Sequence, residues 1–249
     1  MSEPKFTGER LIPDSKILSP MRIENLARFN FFRSLANGSL LLDLGCGAGE
    51  GTFYLAKDEE RQVYGADLDH DALVYAQQLY QNQNAKFIQM NAEQIAFMGE
   101  CFDGVVSVEV IEHIPDPNAY LAEVWRILRK DGVFVLTTPN KLRSSPTPGS
   151  LWPEHIREYT PEELRDLLKQ VFHQVEMWGE EIPIYEGHLL RRIVRRFAPV
   201  IKPILPHWER IRALPALQTV IKADIQMDDV EFTNSNIREM PTLVAICRK

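Results

Sequence analysis

A chain of 249 residues is long enough for one large α/β domain with a sizeable buried core. With 45% hydrophobic and 25% charged residues it has the make-up of an ordinary globular protein, which excludes disordered and fibrous classes. A formal net charge of −7 speaks against a nucleic-acid backbone as the main partner, since such a surface repels it, so none is expected.

Met1 to Glu24 mixes charges with prolines and has no apolar h-region, so no secretory signal is expected there. No apolar run approaches the ~20 residues that a spanning helix needs. Cys46, Cys101 and Cys247 are scattered and odd in number, fitting neither a disulfide framework nor a metal site. A reducing cytoplasm is therefore the expected compartment.

In chain order, residues 1–38 read as a polar, proline-marked leader with a helix over about 21–35. Alternating strands and helices follow, the pattern of a parallel sheet with crossover helices. Leu40 to Leu44 is an apolar run ending in glycines, read as a first strand. Gln62 to Asp67 is a second, Asp71 to Tyr80 a helix, Lys86 to Met90 a third strand and Gly104 to Glu109 a fourth. Leu121, Val124 and Leu128 recur at helical spacing behind an Asp116 cap and Pro117, with Asp131-Gly132 as the stop. Val133 to Thr137 makes a fifth strand. Thr160-Pro161-Glu162-Glu163 predicts a capping box opening a helix to about Val171. Val175 to Trp178 is a sixth strand, and residues 240–249 hold the closing one. Residues 39–178 thus form a core, and one domain spans 1–249.

Residues 187–222 break the pattern, carrying eight Lys or Arg against one acid, a net of +7 in an acidic chain. Four prolines keep its helices short. Arg191, Arg192, Arg195 and Arg196 alternate with Leu189, Leu190, Ile193, Val194 and Phe197. Two uses stay open: a lid over the substrate pocket, or a peripheral contact with anionic lipid, with Trp208 at the interface.

The strongest chemical signal is the stretch Leu41 to Gly51, where a strand runs into Gly45, Gly47 and Gly49 and then a helix, letting a ligand approach the backbone. The dinucleotide pattern wants glycine where this chain has Glu50, and Asp43 sits close by. Two carboxylates repel a diphosphate yet suit a ligand bearing an ammonium and a sulfonium. Asp67 ends the second strand 22 residues after Gly45, about the separation at which an acid receives a ribose diol.

The stretches Leu41–Gly51, Val63–Asp67, Gln89–Glu93, Phe102–His113 and Val133–Asn140 together resemble the successive motifs of class I S-adenosylmethionine-dependent methyltransferases, of the type 11 kind. The resemblance covers residues 40–178. It implies a doubly wound, Rossmann-like seven-stranded sheet whose last strand is antiparallel, with a helical insertion before it. It implies S-adenosylmethionine as cofactor, with Asp43, Gly45, Cys46 and Gly47 at the methionine part. Asp67 and the adjoining Leu68 would flank the ribose, and Asn91, Ala92 and Glu93 the adenine. The family usually has Asp at the position of Asn91. The leader resembles bacterial methyltransferases of glycan or lipid pathways, which would bring Arg22 or Arg28 to the methionine carboxylate.

The loop after the fourth strand lies beside the transferred methyl in this fold, so Glu109, Glu112 and His113 are candidates there, Glu109 as a cofactor contact. His113 offers an imidazole, the side chain most often used as a general base. His155, in Pro153 to Tyr159, is a second candidate base; both histidines can instead merely pin their loops. Glu109-x-x-Glu112-His113 also resembles ubiquinone-biosynthesis O-methyltransferases, where related residues can hold a divalent cation. The same Glu-His occurs in methyltransferases without metal, and the sequence assigns none. The expected function is methyl transfer to oxygen of a small-molecule, glycan or lipid-linked acceptor. N- or C-methylation and a non-catalytic cofactor-binding protein are the alternatives.

Overall fold

The computed structural model describes residues 20–143, 154–181 and 227–249. Its helices are α1 (Pro20–Leu35), α2 (Glu50–Leu55), α3 (His70–Leu79), α4 (Pro117–Ile127) and α5 (Pro161–Leu168). Its strands are β1 (Leu40–Leu44), β2 (Gln62–Asp67), β3 (Ala85–Gln89), β4 (Phe102–Val108), β5 (Leu128–Pro139), β6 (Gln174–Glu181), β7 (Glu231–Thr233) and β8 (Thr242–Arg248). They form one sheet in the order β3-β2-β1-β4-β5-β8-β6-β7. Strands β1 to β5 pair in parallel, while β8 runs antiparallel to both β5 and β6. The expected doubly wound sheet with an antiparallel last strand is present. It has eight strands instead of seven, because the three residues of β7 add a short edge beyond β6.

Two apolar layers sandwich the sheet. Leu42, Leu44, Val105, Phe134 and Leu136 pack with Leu121, Val124 and Ile127 of α4 and Leu164 and Leu168 of α5. Leu41, Val63, Val106 and Val135 pack the opposite face with Phe29 and Phe32 of α1 and Leu55 of α2. Central strands buried on both faces explain why they read as unbroken apolar runs. Leu121 is fully buried, so Leu121→Ala is expected to lower the unfolding free energy by about 2–5 kcal/mol. A urea titration checks this, and a loss below about 1 kcal/mol would place α4 outside the core.

The helix starts follow local chemistry. Asp116 accepts from the amides of Asn118 and Ala119 at 3.0 and 3.1 Å, with Pro117 at the first position. At α5 both arms of the capping box form, Glu163 N to Thr160 Oγ1 at 3.2 Å and Thr160 N to Glu163 Oε2 at 2.9 Å. Asp131-Gly132 does not terminate α4, which ends at Ile127. Instead β5 starts at Leu128, opposite Phe102, and Asp131 takes φ 65° where the register with β4 slips.

Strand order reverses at β1 and β4, which lie side by side while their crossovers leave in opposite directions. Such a switch point opens a crevice beyond the carboxyl ends of the strands. Among the described residues no helix is long and apolar enough to cross a membrane. The expected insertion at 187–222 lies outside the described residues.

Candidate functional site

Beyond β1 the chain turns through Gly45 and Gly49 at φ 84° and 82°. A Cβ at Gly45 would stand 2.3 Å from Val110, and one at Gly49 2.6 Å from Phe87, so only glycine permits both the turn and the packing. The amides of Gly45 and Cys46 donate to Ala66 O at 2.7 and 3.0 Å, and Gly49 N to Cys46 O at 2.9 Å. Gly47 N donates to Asp67 Oδ2 at 2.7 Å. Four amides of the loop are therefore committed to protein acceptors. A diphosphate cradle needs such amides pointing at the ligand. These four are turned to the protein and not to a ligand phosphate.

Asp67 Oδ1 accepts from Asp69 N at 2.9 Å. Each carboxylate oxygen keeps a further lone pair, enough for the two hydroxyls of a ribose. Asp43 is buried, and its Oδ2 accepts from Thr52 Oγ1 at 2.7 Å. Burial pushes its carboxyl up to about 7; the Thr52 bond pulls the other way and the charge of Asp67 adds to the rise. Cys46, beside both acids, has its thiol pushed up by burial.

Glu50 turns away to α1, where its Oε1 meets Arg22 at 2.5 Å. Its charge is thus balanced, so the acids that disfavour a diphosphate here are Asp43 and Asp67, not Glu50.

The turn after β3 is tied to β2 by Met90 N to Asp67 O at 2.9 Å. Asn91 Oδ1 accepts from Glu93 N at 2.9 Å, and Glu93 Oε1 accepts from Asp116 N at 2.7 Å. Both side chains thus build the wall of this turn, with Ala92 half-buried against the core. Leu68 is 68% exposed, a large apolar side chain directly after Asp67.

Arg28 reaches β6 instead of open crevice. Its Nε donates to Glu180 Oε2 at 2.6 Å, and its other nitrogens lie 3.6 Å from Glu109 Oε1 and 3.5 Å from Thr242 Oγ1. Buried Glu180 is a partner that sequence reading missed: 152 positions separate the pair, and no local pattern marks it. Glu109 is a non-glycine residue at φ 54°, a conformation that costs about 1–3 kcal/mol and is held by its surroundings. Its amide donates to Thr137 O and its Oε1 accepts from Thr137 Oγ1, both at 3.1 Å.

After β4 a single tight turn, Ile111–His113, carries Glu112 and His113. Glu112 is fully buried; its Oε2 accepts from Thr138 Oγ1 at 2.9 Å. Burial pushes its carboxyl well up, and the charge of Glu109 adds to the rise. The carbonyl of Glu112 accepts from Ile156 N and Arg157 N at 2.9 and 3.1 Å, which fastens the second loop to the first. The two candidate bases are brought together by this contact, their ring centroids 5.0 Å apart and nearly perpendicular. His113 Nδ1 lies 3.0 Å from the Glu154 carbonyl, and His155 Nδ1 3.0 Å from Glu158 Oε1. Glu158 is buried. It is a second acid that sequence reading left without a role, although its place three residues after His155 was visible.

A Rossmann-like sheet with a glycine turn after β1, an acid at the end of β2 and an antiparallel β8 inserted between β5 and β6 has the architecture of a class I methyltransferase fold. Residues 42–136 match the methyltransferase domain family model. A probable S-adenosylmethionine-dependent methyltransferase of Mycolicibacterium smegmatis is 33% identical over 185 residues, 69% of this chain and 66% of that protein. The ubiquinone biosynthesis O-methyltransferase of Ruegeria pomeroyi is 31% identical over 177 residues, 62% of this chain and 71% of that protein. The crystal structure of an S-adenosylmethionine-dependent methyltransferase from Thermotoga maritima superposes with a TM-score of 0.62 at 16% identity, covering 92% of this chain and 90% of that one. The chain belongs to the class I S-adenosylmethionine-dependent methyltransferases, and S-adenosylmethionine is its cofactor. The matched stretch spans just under two thirds of the mycobacterial relative's length.

Proposed function

We propose that the protein moves the cofactor's methyl group to a hydroxyl oxygen of a small-molecule, glycan or lipid-linked acceptor. The acceptor oxygen attacks the methyl carbon, the carbon–sulfur bond breaks, the thioether leaves neutral, and a base takes the hydroxyl proton. The donor is already activated, so most of the acceleration is alignment. In this reading Asp43 and the loop from Gly45 to Gly47 hold the methionine part, Asp67 and Leu68 flank the ribose, and the Asn91–Glu93 turn lies on the adenine side.

The observation that carries the oxygen reading is the paired imidazoles. A carbonyl oxygen only accepts, so the Nδ1 of His113 carries its hydrogen and the Nε2 keeps a lone pair. The Glu158 carboxylate favours the same tautomer in His155. One of the two is then poised to receive the proton. The O-methyltransferase relative from Ruegeria pomeroyi supports this choice of nucleophile. The acidic charge of the chain supports an acceptor that is not nucleic acid. A cytoplasmic enzyme, touching the inner face of the membrane through residues 187–222, accommodates a lipid-linked acceptor.

Purified protein with S-adenosylmethionine and a panel of hydroxylated acceptors is expected to yield a product heavier by one methyl. Turnover should fall about 10²–10⁴-fold when both His113 and His155 are replaced by Ala, with cofactor affinity kept. Undiminished turnover in the double variant would remove the proton step from this corner.

A further inference from the structure

We infer that Glu112, His113 and His155 together form a binding site for one divalent transition-metal ion. The inference rests on the reading above for what the ion does, but not for whether it binds. One ligand atom from each of the three residues lies within 4.8 Å of the others, a carboxylate oxygen and two imidazole nitrogens. They come from two loops that the bonds of Ile156 and Arg157 to the Glu112 carbonyl hold in register.

Two further observations point to a ligand. Glu112 Oε1 is buried and has no hydrogen-bond partner among the described residues, while Oε2 is satisfied by Thr138. Leaving such an oxygen unmet costs about 1–3 kcal/mol, more if it is charged, and a cation removes that cost. Each ring is also tethered through its Nδ1. Nδ1 of His113 sits on the Glu154 carbonyl and Nδ1 of His155 on the buried Glu158 carboxylate. An acceptor on Nδ1 fixes the ring and raises the basicity of Nε2, as outer partners of metal-bound histidines do.

Glu109 of the Glu-x-x-Glu-His sequence is not one of the three. Thr137 and Arg28 engage its carboxylate, so the ligand set of this chain draws on His155 instead. Two nitrogens and one oxygen suit zinc or manganese over magnesium or calcium, which prefer oxygen throughout. Three protein ligands leave a position open for an acceptor oxygen. The ion would supply Lewis-acid polarisation of that hydroxyl, so that its proton could pass to solvent in the loaded protein, while in the metal-free protein an imidazole remains the base.

The test is calorimetric titration of the chelator-stripped, full-length protein with Zn²⁺, then Mn²⁺, with neither cofactor nor acceptor present. One ion per chain is expected. His155→Ala and Glu112→Gln should each weaken binding at least about tenfold, and Glu158→Gln, whose carboxylate meets His155 at Nδ1, about 10–100-fold. Cofactor affinity retained by each variant separates a lost site from a lost fold. Bound Co²⁺ should give visible absorption that vanishes in His155→Ala. No binding to the parent protein, or binding that all three variants leave unchanged, overturns the inference. Absence of methyl transfer with metal binding intact would sink the functional reading and leave this one standing.

Discussion

Asp67→Ala is expected to weaken S-adenosylmethionine binding by about 100-fold or more. A carboxylate accepting from two ribose hydroxyls makes charge-assisted bonds of about 1.5–3 kcal/mol each. The carboxylate also organises the loop, since its two oxygens receive Gly47 N and Asp69 N. Alanine removes both functions, and the Gly47 amide loses its acceptor. Asp67→Asn keeps one accepting oxygen but turns a donor toward a backbone N–H, so it too should lose most of the affinity. Calorimetry with S-adenosylmethionine and S-adenosylhomocysteine measures both variants, since the two ligands share the ribose. Affinity within twofold of the parent in Asp67→Ala would refute the ribose assignment. The fold should survive, because the Gly45 and Cys46 amides bond to the Ala66 carbonyl and not to this side chain.

The glycine turn after β1 was legible because its geometry is local. Leu41 to Gly51 encodes strand, turn and helix in eleven consecutive residues, and only glycine satisfies the turn at Gly45 and Gly49. The caps at Asp116 and Thr160 were equally legible, each bond spanning two or three residues. What escaped was non-local. The pairing of Arg28 with Glu180 depends on α1 and β6 meeting, and Glu50 turned out to answer Arg22 of α1. The 128–132 stretch reads as a helix stop, but pairing of Leu128 with Phe102 draws it into β5. Beyond β4, His113 and His155 were each visible, whereas their meeting depends on backbone bonds from Ile156 and Arg157 to Glu112 that no side-chain pattern encodes.

Cofactor affinity is expected to depend on pH through Asp43. Burial raises this carboxyl from its ordinary value near 3.8 to about 7 in the empty site. Below both values the acid is neutral in the folded and unfolded chain alike and stability is unaffected by it. As pH rises from about 4 to about 7 the unfolded chain ionises first, so stability falls, by a total on the order of 4 kcal/mol, and is level above. The cationic ammonium of the cofactor favours the ionised form. Binding below about pH 7 must therefore release a proton, and affinity should climb up to tenfold per pH unit before levelling. Calorimetry in two buffers of different ionisation enthalpy counts that proton directly. Asp43→Asn makes the opposing demands visible in one protein. It should stabilise the empty fold near neutral pH, weaken the cofactor and abolish the proton release. Pairing the loss of affinity with a gain in stability is what a merely structural Asp43 would not produce. If affinity in the parent protein is flat from about pH 5.5 to 7.5, the buried acid does not meet the charged end of the cofactor.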